Sequence, residues 1–220
     1  MLFRLIAFAV AFLAVARLWA VDPDATRWEK TIERFELQDK KSPPKEGGIV
    51  FTGSSSIALW KDLEKHFPKM NPINRGFGGS SLPEVNAFVE RIVTPYKPHT
   101  VVLFCGGNDM AIYKRKPEQL HEDFKTFVAK VHAKLPETKI VYLSIHTAPS
   151  RVNLKESTLE ANRLIAKECA GNAKLRFVDI HDLMLGSDGK PNPELYRDAL
   201  HPNEKAYEMW AEKLRRSLEK

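Results

Sequence analysis

Short apolar runs and helical apolar patterns alternate along most of the chain. Runs rich in β-branched and aromatic residues predict five strands, at residues 48–52, 72–74, 100–104, 139–144 and 175–178. Apolar residues at helical spacing predict a helix after each of them, at residues 56–67, 82–93, 118–135, 154–170 and 202–218. Strands separated by single helices indicate a parallel sheet covered by helices on both faces.

A further helical pattern precedes the first strand. Trp28, Ile32 and Phe35 fall on one face of a predicted helix, and we expect this face to pack against the domain. The stretch KKSPPKEGG that follows is a polar connector rich in proline and glycine. The predicted division is therefore an N-terminal helix and linker over residues 21–47 and one domain over residues 48–220.

The first twenty residues have the pattern of an export signal. A positive start that contains Arg4 is followed by twelve apolar residues, 5–16, and Ala16 and Ala20 offer small-residue cleavage sites. The apolar run is shorter than the roughly 20 residues that span a membrane. We therefore predict a signal peptide over residues 1–20 and an exported protein, periplasmic or secreted. The alternative is an uncleaved anchor, the one case in which we expect contact with a membrane.

The composition is that of a globular protein with one domain. The chain has 220 residues, of which 43% are hydrophobic and 28% are charged. This length and hydrophobic content are enough for a full hydrophobic core. The net charge of +6 includes no Lys/Arg-rich run with aromatic residues, so nucleic acid is not an expected partner. Cys105 and Cys169 are too few for a disulfide framework. We expect two buried thiols, with a single bridge between them as the alternative.

Polar residues that follow the predicted strands carry the candidate chemistry. Gly53 ends the first strand, and the serines at 54–56 stand where a helix N-terminus favours an anion. A nucleophile and a developing oxyanion would both be served there, although serines at this place also suit a helix cap. After the third strand, Asn108 offers a side-chain amide to an oxyanion, although Gly-Gly-Asn-Asp is also ordinary turn chemistry.

An acid and a histidine form the second candidate pair. Asp198 precedes His201 by three residues, ahead of the last predicted helix, whose first position is predicted to be Pro202. Over so short a turn the carboxylate can accept the proton of His201 Nδ1, which leaves Nε2 to take a proton from a serine. The alternative is a local turn network. Because the carboxyl ends of parallel strands meet at one edge, we expect His201, Ser55 and Asn108 to gather there.

These features together resemble a known family. The chain shares the motif order and spacing of the SGNH hydrolases, also called GDSL-type esterases, at Gly53-Ser54-Ser55, Gly79, Gly106-Gly107-Asn108-Asp109 and Asp198-x-x-His201. The resemblance extends from residue 48 to residue 218. It implies a three-layer, flavodoxin-like α/β fold with a mainly parallel sheet of about five strands between helices. It also implies a serine esterase or lipase mechanism that needs no metal and no organic cofactor.

The resemblance assigns roles to residues of this chain. Ser55 would be the nucleophile, His201 the base, and Asp198 the group that orients the base. The backbone N–H groups of Ser55 and Gly79 and the side chain of Asn108 would form the oxyanion hole.

Some neighbouring residues leave alternatives open. Ser54 stands where the family usually has an aspartate, so Ser54 and Ser56 are rivals of Ser55, although the register from the preceding glycine favours Ser55. Asp109 is a rival orienting acid, and we expect it instead to support the Asn108 loop. His146 follows the fourth strand, and we expect backbone to satisfy its ring, with substrate contact as the alternative.

The resemblance also suggests the kind of substrate. We expect hydrolysis of short acyl esters, chiefly acetyl esters, on small molecules or carbohydrates, because the chain has no long apolar insertion that would build a lipid lid. A lysophospholipase-type lipid esterase is the alternative within the family. A non-catalytic envelope or carbohydrate-binding protein on the same fold is the alternative outside enzymes.

Overall fold

A sheet of five parallel strands forms the centre of the computed structural model, which describes residues 24–218. The strands are β1 Ile49–Gly53, β2 Pro72–Gly76, β3 Thr100–Phe104, β4 Lys139–Leu143 and β5 Leu175–Val178. They lie in the order β2-β1-β3-β4-β5, and every neighbouring pair is parallel. The predicted α/β fold with a parallel sheet is therefore confirmed.

Helices connect the strands. Within the described residues they are α1 Glu29–Lys41, α2 Ser55–Ala58, α3 Leu63–His66, α4 Leu82–Ile92, α5 Gly107–Ala111, α6 Pro117–Lys134, α7 Lys155–Ala170 and α8 Glu204–Leu218. A 3-10 turn at Ala25–Trp28 precedes α1, and another 3-10 segment, Pro149–Leu154, precedes α7.

Alternate strand residues face opposite sides of the sheet. Val50 and Val101 lie in one apolar cluster, whereas Phe51 and Val102 lie in the other. Helices α1, α4, α6 and α7 cover the first side, and α2, α3 and α8 cover the second. Because both sides are covered, β1 and β3 are buried along their whole length, which explains their continuous apolar sequences.

The single helix predicted over residues 56–67 is wrong. The structure has two short helices there, α2 and α3, with a break between them. Trp60 lies in the break, is only 1% exposed, and stacks on Tyr207 with ring centroids 5.0 Å apart. The Asn74 side chain donates to the Ile57 carbonyl at 2.7 Å and so occupies an acceptor that a continuous helix would use. Burial of the indole and this long-range hydrogen bond outweigh the local helical pattern.

The start of the last helix also differs from the prediction. Helix α8 begins at Glu204, so Pro202 is not its first residue. Pro202 instead forms an isolated antiparallel bridge with Tyr196. The side chain of Asn203 accepts a hydrogen bond from the Ala206 N–H at 3.1 Å, which is the geometry of a helix cap.

The predicted packing of the N-terminal helix is confirmed. Ile32 is fully buried, and Trp28 and Phe35 pack against the same apolar cluster. Arg91 of α4 holds α1 from the side through an ion pair with Glu36 at 2.7 Å.

Two further expectations concern the chain ends and the thiols. The predicted signal peptide, residues 1–20, lies outside the described residues. Within residues 24–218, no helix has both the length and the apolar character needed to cross a membrane. Cys105 and Cys169 are both buried and free, as expected, and no bridge joins them.

Candidate active site

The candidate site residues lie where neighbouring strands end. Ser55 follows β1 and Asn108 follows β3, and these two strands are paired in the sheet. The strand order reverses between them, because β2 lies on the far side of β1. In open parallel sheets the ligand crevice lies beyond the carboxyl ends of the strands at such a switch point.

A close backbone approach ends β1. Gly53 has φ +128°, and a Cβ atom there would lie 2.0 Å from the carbonyl oxygen of Phe104. Glycine alone fits both this conformation and this gap. The Ser54 N–H donates to the same oxygen at 3.0 Å, and α2 then begins at Ser55. The turn therefore sets Ser55 at a helix start beside the junction of β1 and β3.

Three side chains from two distant parts of the chain form one hydrogen-bonded row. His201 Nε2 lies 3.0 Å from Ser55 Oγ, and His201 Nδ1 lies 2.9 Å from Asp198 Oδ2. Among the described residues, Ser54 and Ser56 are buried and neither reaches the imidazole. Ser54 is the N-cap residue of α2, yet its side chain makes no capping hydrogen bond.

Asp198 contributes to both the turn and the row. Its Oδ1 accepts the N–H groups of Leu200 at 2.8 Å and His201 at 2.7 Å, while Oδ2 faces the imidazole. The turn network and the acid–histidine pair, posed as alternatives in the sequence, therefore coexist. The hydrogen bond with the His201 side chain lowers the pKa of Asp198 to about 2, and the two backbone N–H groups add to this effect. The carboxylate thus stays ionised at neutral and mildly acid pH.

Asn108 is held at both ends of its side-chain amide. It is 6% exposed, its Nδ2 donates to the Ser80 carbonyl at 3.0 Å, and its Oδ1 accepts from Arg151 Nη2 at 2.8 Å. An amide nitrogen carries two N–H donors. The contact with Ser80 therefore uses one donor and leaves the other for a ligand.

The loop after β2 is tied to the turn after β1. The Gly53 carbonyl accepts a hydrogen bond from Ser80 Oγ at 3.2 Å. Gly79 in this loop has φ +81°, a conformation that favours glycine. Its N–H has no acceptor among the described residues. A Cβ atom on the adjacent Gly78 would lie 3.9 Å from Ser55 Cβ, so this loop borders the serine.

Two other titratable residues near the site do not join the row. Asp109 is fully buried and its Oδ1 accepts the Leu82 N–H at 2.8 Å, so it is a structural acid, as expected. Burial raises the pKa of Asp109 to about 7. His146 bonds with the Tyr196 hydroxyl at 3.1 Å, so the expected backbone partner is wrong. Burial lowers the pKa of His146 to about 3, which keeps it neutral.

A small cavity opens beside Ser55 and contains a residue that sequence reasoning missed. The cavity volume is about 30 Å³, and the apolar part of its wall is Phe104, Ile145, Ala148 and Leu200. Asn108 and Arg151 are among its polar lining residues. Arg151 comes from the 3-10 segment after β4. No periodicity or motif marks an isolated arginine in a loop, so the sequence held no signal for it.

The N-terminal segment reaches the loop after β2, which sequence reasoning also missed. Glu84 is fully buried, forms a capping box with Ser81, and accepts from Arg27 Nε at 2.6 Å and Trp28 Nε1 at 3.0 Å. Arg27 Nη2 also donates to the Gly79 carbonyl at 3.2 Å. The Ser-x-x-Glu spacing was an available signal for the capping box. The partner arginine, 57 residues away, left no local trace.

Among residues 24–218, no group of three or more His, Cys, Asp or Glu side chains is arranged to hold a metal ion.

A parallel sheet with a Ser–His–Asp row beyond its strand ends is an arrangement that α/β hydrolases use. The chain belongs to the GDSL-like lipase/acylhydrolase family, which matches residues 51–209. The resemblance to SGNH hydrolases is therefore confirmed, and the protein is a hydrolase that acts on carboxylic ester bonds. A search of curated proteins found no match.

Solved structures share the fold. A Streptococcus pneumoniae protein named for platelet activating factor is 18% identical with a TM-score of 0.77, covering 88% of this chain and 94% of its own. A GDSL-like lipase from Bacteroides thetaiotaomicron is 20% identical with a TM-score of 0.71, covering 86% and 97%. An acetyl-xylooligosaccharide esterase from Geobacillus is 15% identical with a TM-score of 0.60, covering 79% and 94%. At such identities the likeness is one of fold.

The buried carboxylate of Glu84 gives a prediction for Arg27→Met. Burial raises the pKa of Glu84, but the hydrogen bonds from Arg27 and Ser81 outweigh it and leave the pKa below its usual value. Removal of the arginine leaves a buried charge short of its cation. We expect a loss of about 1–3 kcal/mol in the free energy of unfolding by urea, less than for a fully buried pair because Arg27 is 46% exposed.

The same substitution has an expected pH dependence and a matched control. A carboxylate with a lowered pKa stabilises the fold above its unfolded pKa, and this contribution is lost as pH falls through the folded pKa. The loss in Arg27→Met should therefore be larger at pH 7 than at pH 4. Arg34→Met is the control, because Arg34 is exposed on α1 and its one side-chain partner among the described residues is Thr31; it should change little. Equal stability losses in the two variants would contradict the prediction.

Proposed function

We propose that this protein is an exported serine esterase that removes short acyl groups, chiefly acetyl, from small molecules or carbohydrates. The observation that carries the proposal is the continuous row from Ser55 Oγ through His201 to Asp198, with distances of 3.0 Å and 2.9 Å. Both distances lie within the reach needed for proton transfer and for orientation of the base. The export component depends on the signal-like pattern of residues 1–20 alone.

Acylation begins at Ser55. Its Oγ attacks the carbonyl carbon of the ester while His201 Nε2 takes the hydroxyl proton. Asp198 accepts a hydrogen bond from the Nδ1–H of His201. This bond keeps the imidazole in the tautomer that can accept a proton at Nε2. Because the Asp198 carboxylate stays ionised at neutral pH, it also stabilises the imidazolium that forms.

The tetrahedral oxyanion needs donors that point to one place. We assign this role to the N–H groups of Ser55 and Gly79 and to the second N–H of the Asn108 amide. Three observations support the assignment: Ser55 begins a helix, the Gly79 N–H has no acceptor among the described residues, and Asn108 Nδ2 has one donor left. Such fixed donors act without reorganisation when charge develops.

Deacylation reuses the same base. His201 gives its proton to the leaving alcohol oxygen as the tetrahedral intermediate collapses to the acyl-enzyme. A water molecule then attacks the acyl carbon while His201 Nε2 takes its proton, and Ser55 Oγ leaves with that proton.

The size of the cavity supports a short acyl group. At about 30 Å³ it has room for about two water molecules, since one water needs at least about 10–15 Å³. A two-carbon acetyl group has a similar size, whereas a fatty acyl chain has no room there. The acetyl-xylooligosaccharide esterase among the structural relatives supports an acetylated carbohydrate as the substrate class.

The role of Ser55 is tested by Ser55→Ala. We expect the hydrolysis of p-nitrophenyl acetate by the mature protein to fall by about a thousandfold or more, because the nucleophile is gone. Ser56→Ala is the matched control, since Ser56 is the buried neighbour in the same helix. It should retain most of the activity. Undiminished activity in Ser55→Ala would refute the assignment, and an inactive but folded wild-type protein would favour a binding function.

The acyl length is tested with p-nitrophenyl esters of two, six and ten carbons. Because the cavity has a volume of only about 30 Å³, we expect kcat/KM to be highest for acetate and to fall by about tenfold or more at six carbons. The initial rate of hydrolysis is measured for each ester below its critical micelle concentration. A rise of kcat/KM with chain length would contradict the small-acyl proposal and support the lysophospholipase alternative.

A further inference from the structure

Arg151 is a cation in the wall of the reaction cavity, and its place in the loop is fixed. The Ser150 N–H donates to the Ala199 carbonyl at 2.9 Å, which ties the 3-10 segment to the loop that holds Asp198 and His201. The Arg151 N–H donates to the Ala148 carbonyl at 2.8 Å. The backbone that carries the guanidinium is therefore anchored to the catalytic loop.

The guanidinium of Arg151 is only partly satisfied. Its Nη2 donates to Asn108 Oδ1 at 2.8 Å, and its Nη1 lies so close to α5 that a Cβ on Gly107 would be 2.8 Å away. A guanidinium has five N–H donors. The bond to Asn108 is its one side-chain hydrogen bond among the described residues, so most of these donors have no protein acceptor.

Two other arginines of the chain form ion pairs with carboxylates. Arg27 pairs with Glu84 at 2.6 Å and Arg91 with Glu36 at 2.7 Å. Arg151 forms no ion pair among the described residues. Burial removes water from its charge and so lowers the pKa of the guanidinium. A partly buried cation without an anion costs free energy.

Asp109 offsets only part of this effect of burial. Its charge acts to raise the pKa of Arg151, but burial outweighs it, and no hydrogen bond or ion pair joins the two side chains among the described residues. Asp109 Oδ1 accepts the Leu82 N–H instead. His146 in the cavity wall is neutral because burial lowers its pKa to about 3. Arg151 is therefore the one permanent charge among the described residues that line the cavity.

We propose that Arg151 binds a carboxylate of the substrate, so that the enzyme prefers acyl esters of hydroxy acids or sugar acids over neutral esters. This inference rests on the proposed function of the site. The acyl group occupies the small cavity, and the carboxylate of the alcohol part contacts the solvent-accessible part of Arg151, which is only partly buried. One unpaired guanidinium matches one carboxylate in charge and in its two-pronged geometry. A phosphate dianion would call for a second cation, which the cavity wall lacks.

The preference is measured with pairs of substrates that differ in charge and little in shape. Acetoxyacetate is compared with 2-acetoxyacetamide, and 4-acetoxybenzoate with 4-acetoxybenzamide, which place the carboxylate at two distances from the ester. The readout is the ratio of kcat/KM for the acid to that for its amide. Any effect of Arg151 that acts through Asn108 changes both members of a pair and cancels in this ratio.

We expect the wild-type ratio to be tenfold or more in at least one pair. It should fall close to one in Arg151→Gln, and Arg151→Lys should keep part of it because the charge stays but the fork is lost. Arg197→Gln is the matched control, since Arg197 is an exposed arginine next to Asp198 that does not line the cavity. Arg197→Gln removes one positive charge, as Arg151→Gln does, and should keep the wild-type ratio of kcat/KM for the acid to that for its amide.

A wild-type ratio near one in both pairs would overturn the inference, and so would a ratio that survives Arg151→Gln. A fall of equal size in both members of a pair would make Arg151 a positioning residue for Asn108 and not a substrate-binding residue. These outcomes are separate from failure of the proposed function. If the wild type hydrolyses the acetyl esters of the two uncharged substrates and Ser55→Ala does not, the esterase proposal stands whatever the ratio is.

Discussion

The contact between Gly53 and the Phe104 carbonyl is the constraint on which the site depends. It lets β1 and β3 stay paired to their last residue and then turns the chain sharply into α2. The peptide of Gly53 also accepts from Ser80 Oγ, and Ser80 in turn accepts from Asn108. A side chain at residue 53 would displace three strand-end loops at once, because all three meet at this backbone.

Two ion pairs join the N-terminal part of the chain to the sheet and its helices. Glu84 is buried completely and is balanced by Arg27, while Arg75 of β2 forms an ion pair with Asp39 at the end of α1. These pairs attach the N-terminal helix to the family domain, although the family match begins only at residue 51. Arg151 differs because the one hydrogen bond of its side chain among the described residues is to a neutral amide. This arginine lies beside the nucleophile candidate, where a substrate carboxylate would supply an anion.

The sequence was informative where structure depends on local pattern. The strand at residues 100–104 was predicted to the residue, because a strand buried on both faces is apolar throughout. The candidate site residues could be collected because parallel topology brings strand ends to one edge. The break at Trp60 was not predictable, because it depends on contacts with Asn74 and Tyr207 far along the chain.

Long-range polar partners were beyond the sequence for the same reason. Arg27 and Arg151 reach Glu84 and Asn108 from 57 and 43 residues away, and neither arginine belongs to a periodic pattern. The choice among the three serines was also open in the sequence, since all follow the same glycine. The register from Gly53 favoured Ser55, and the distance to His201 separates it from its neighbours in the structure.

The central claim is that Ser55 is a nucleophile activated by His201, and covalent labelling tests it most directly. A fluorophosphonate reacts with an activated serine when Oγ bonds to phosphorus and fluoride leaves. The account predicts one adduct per chain, located by peptide mass spectrometry at Ser55, and little labelling in His201→Ala. An adduct at another residue, or none in a protein that still hydrolyses esters, would contradict it.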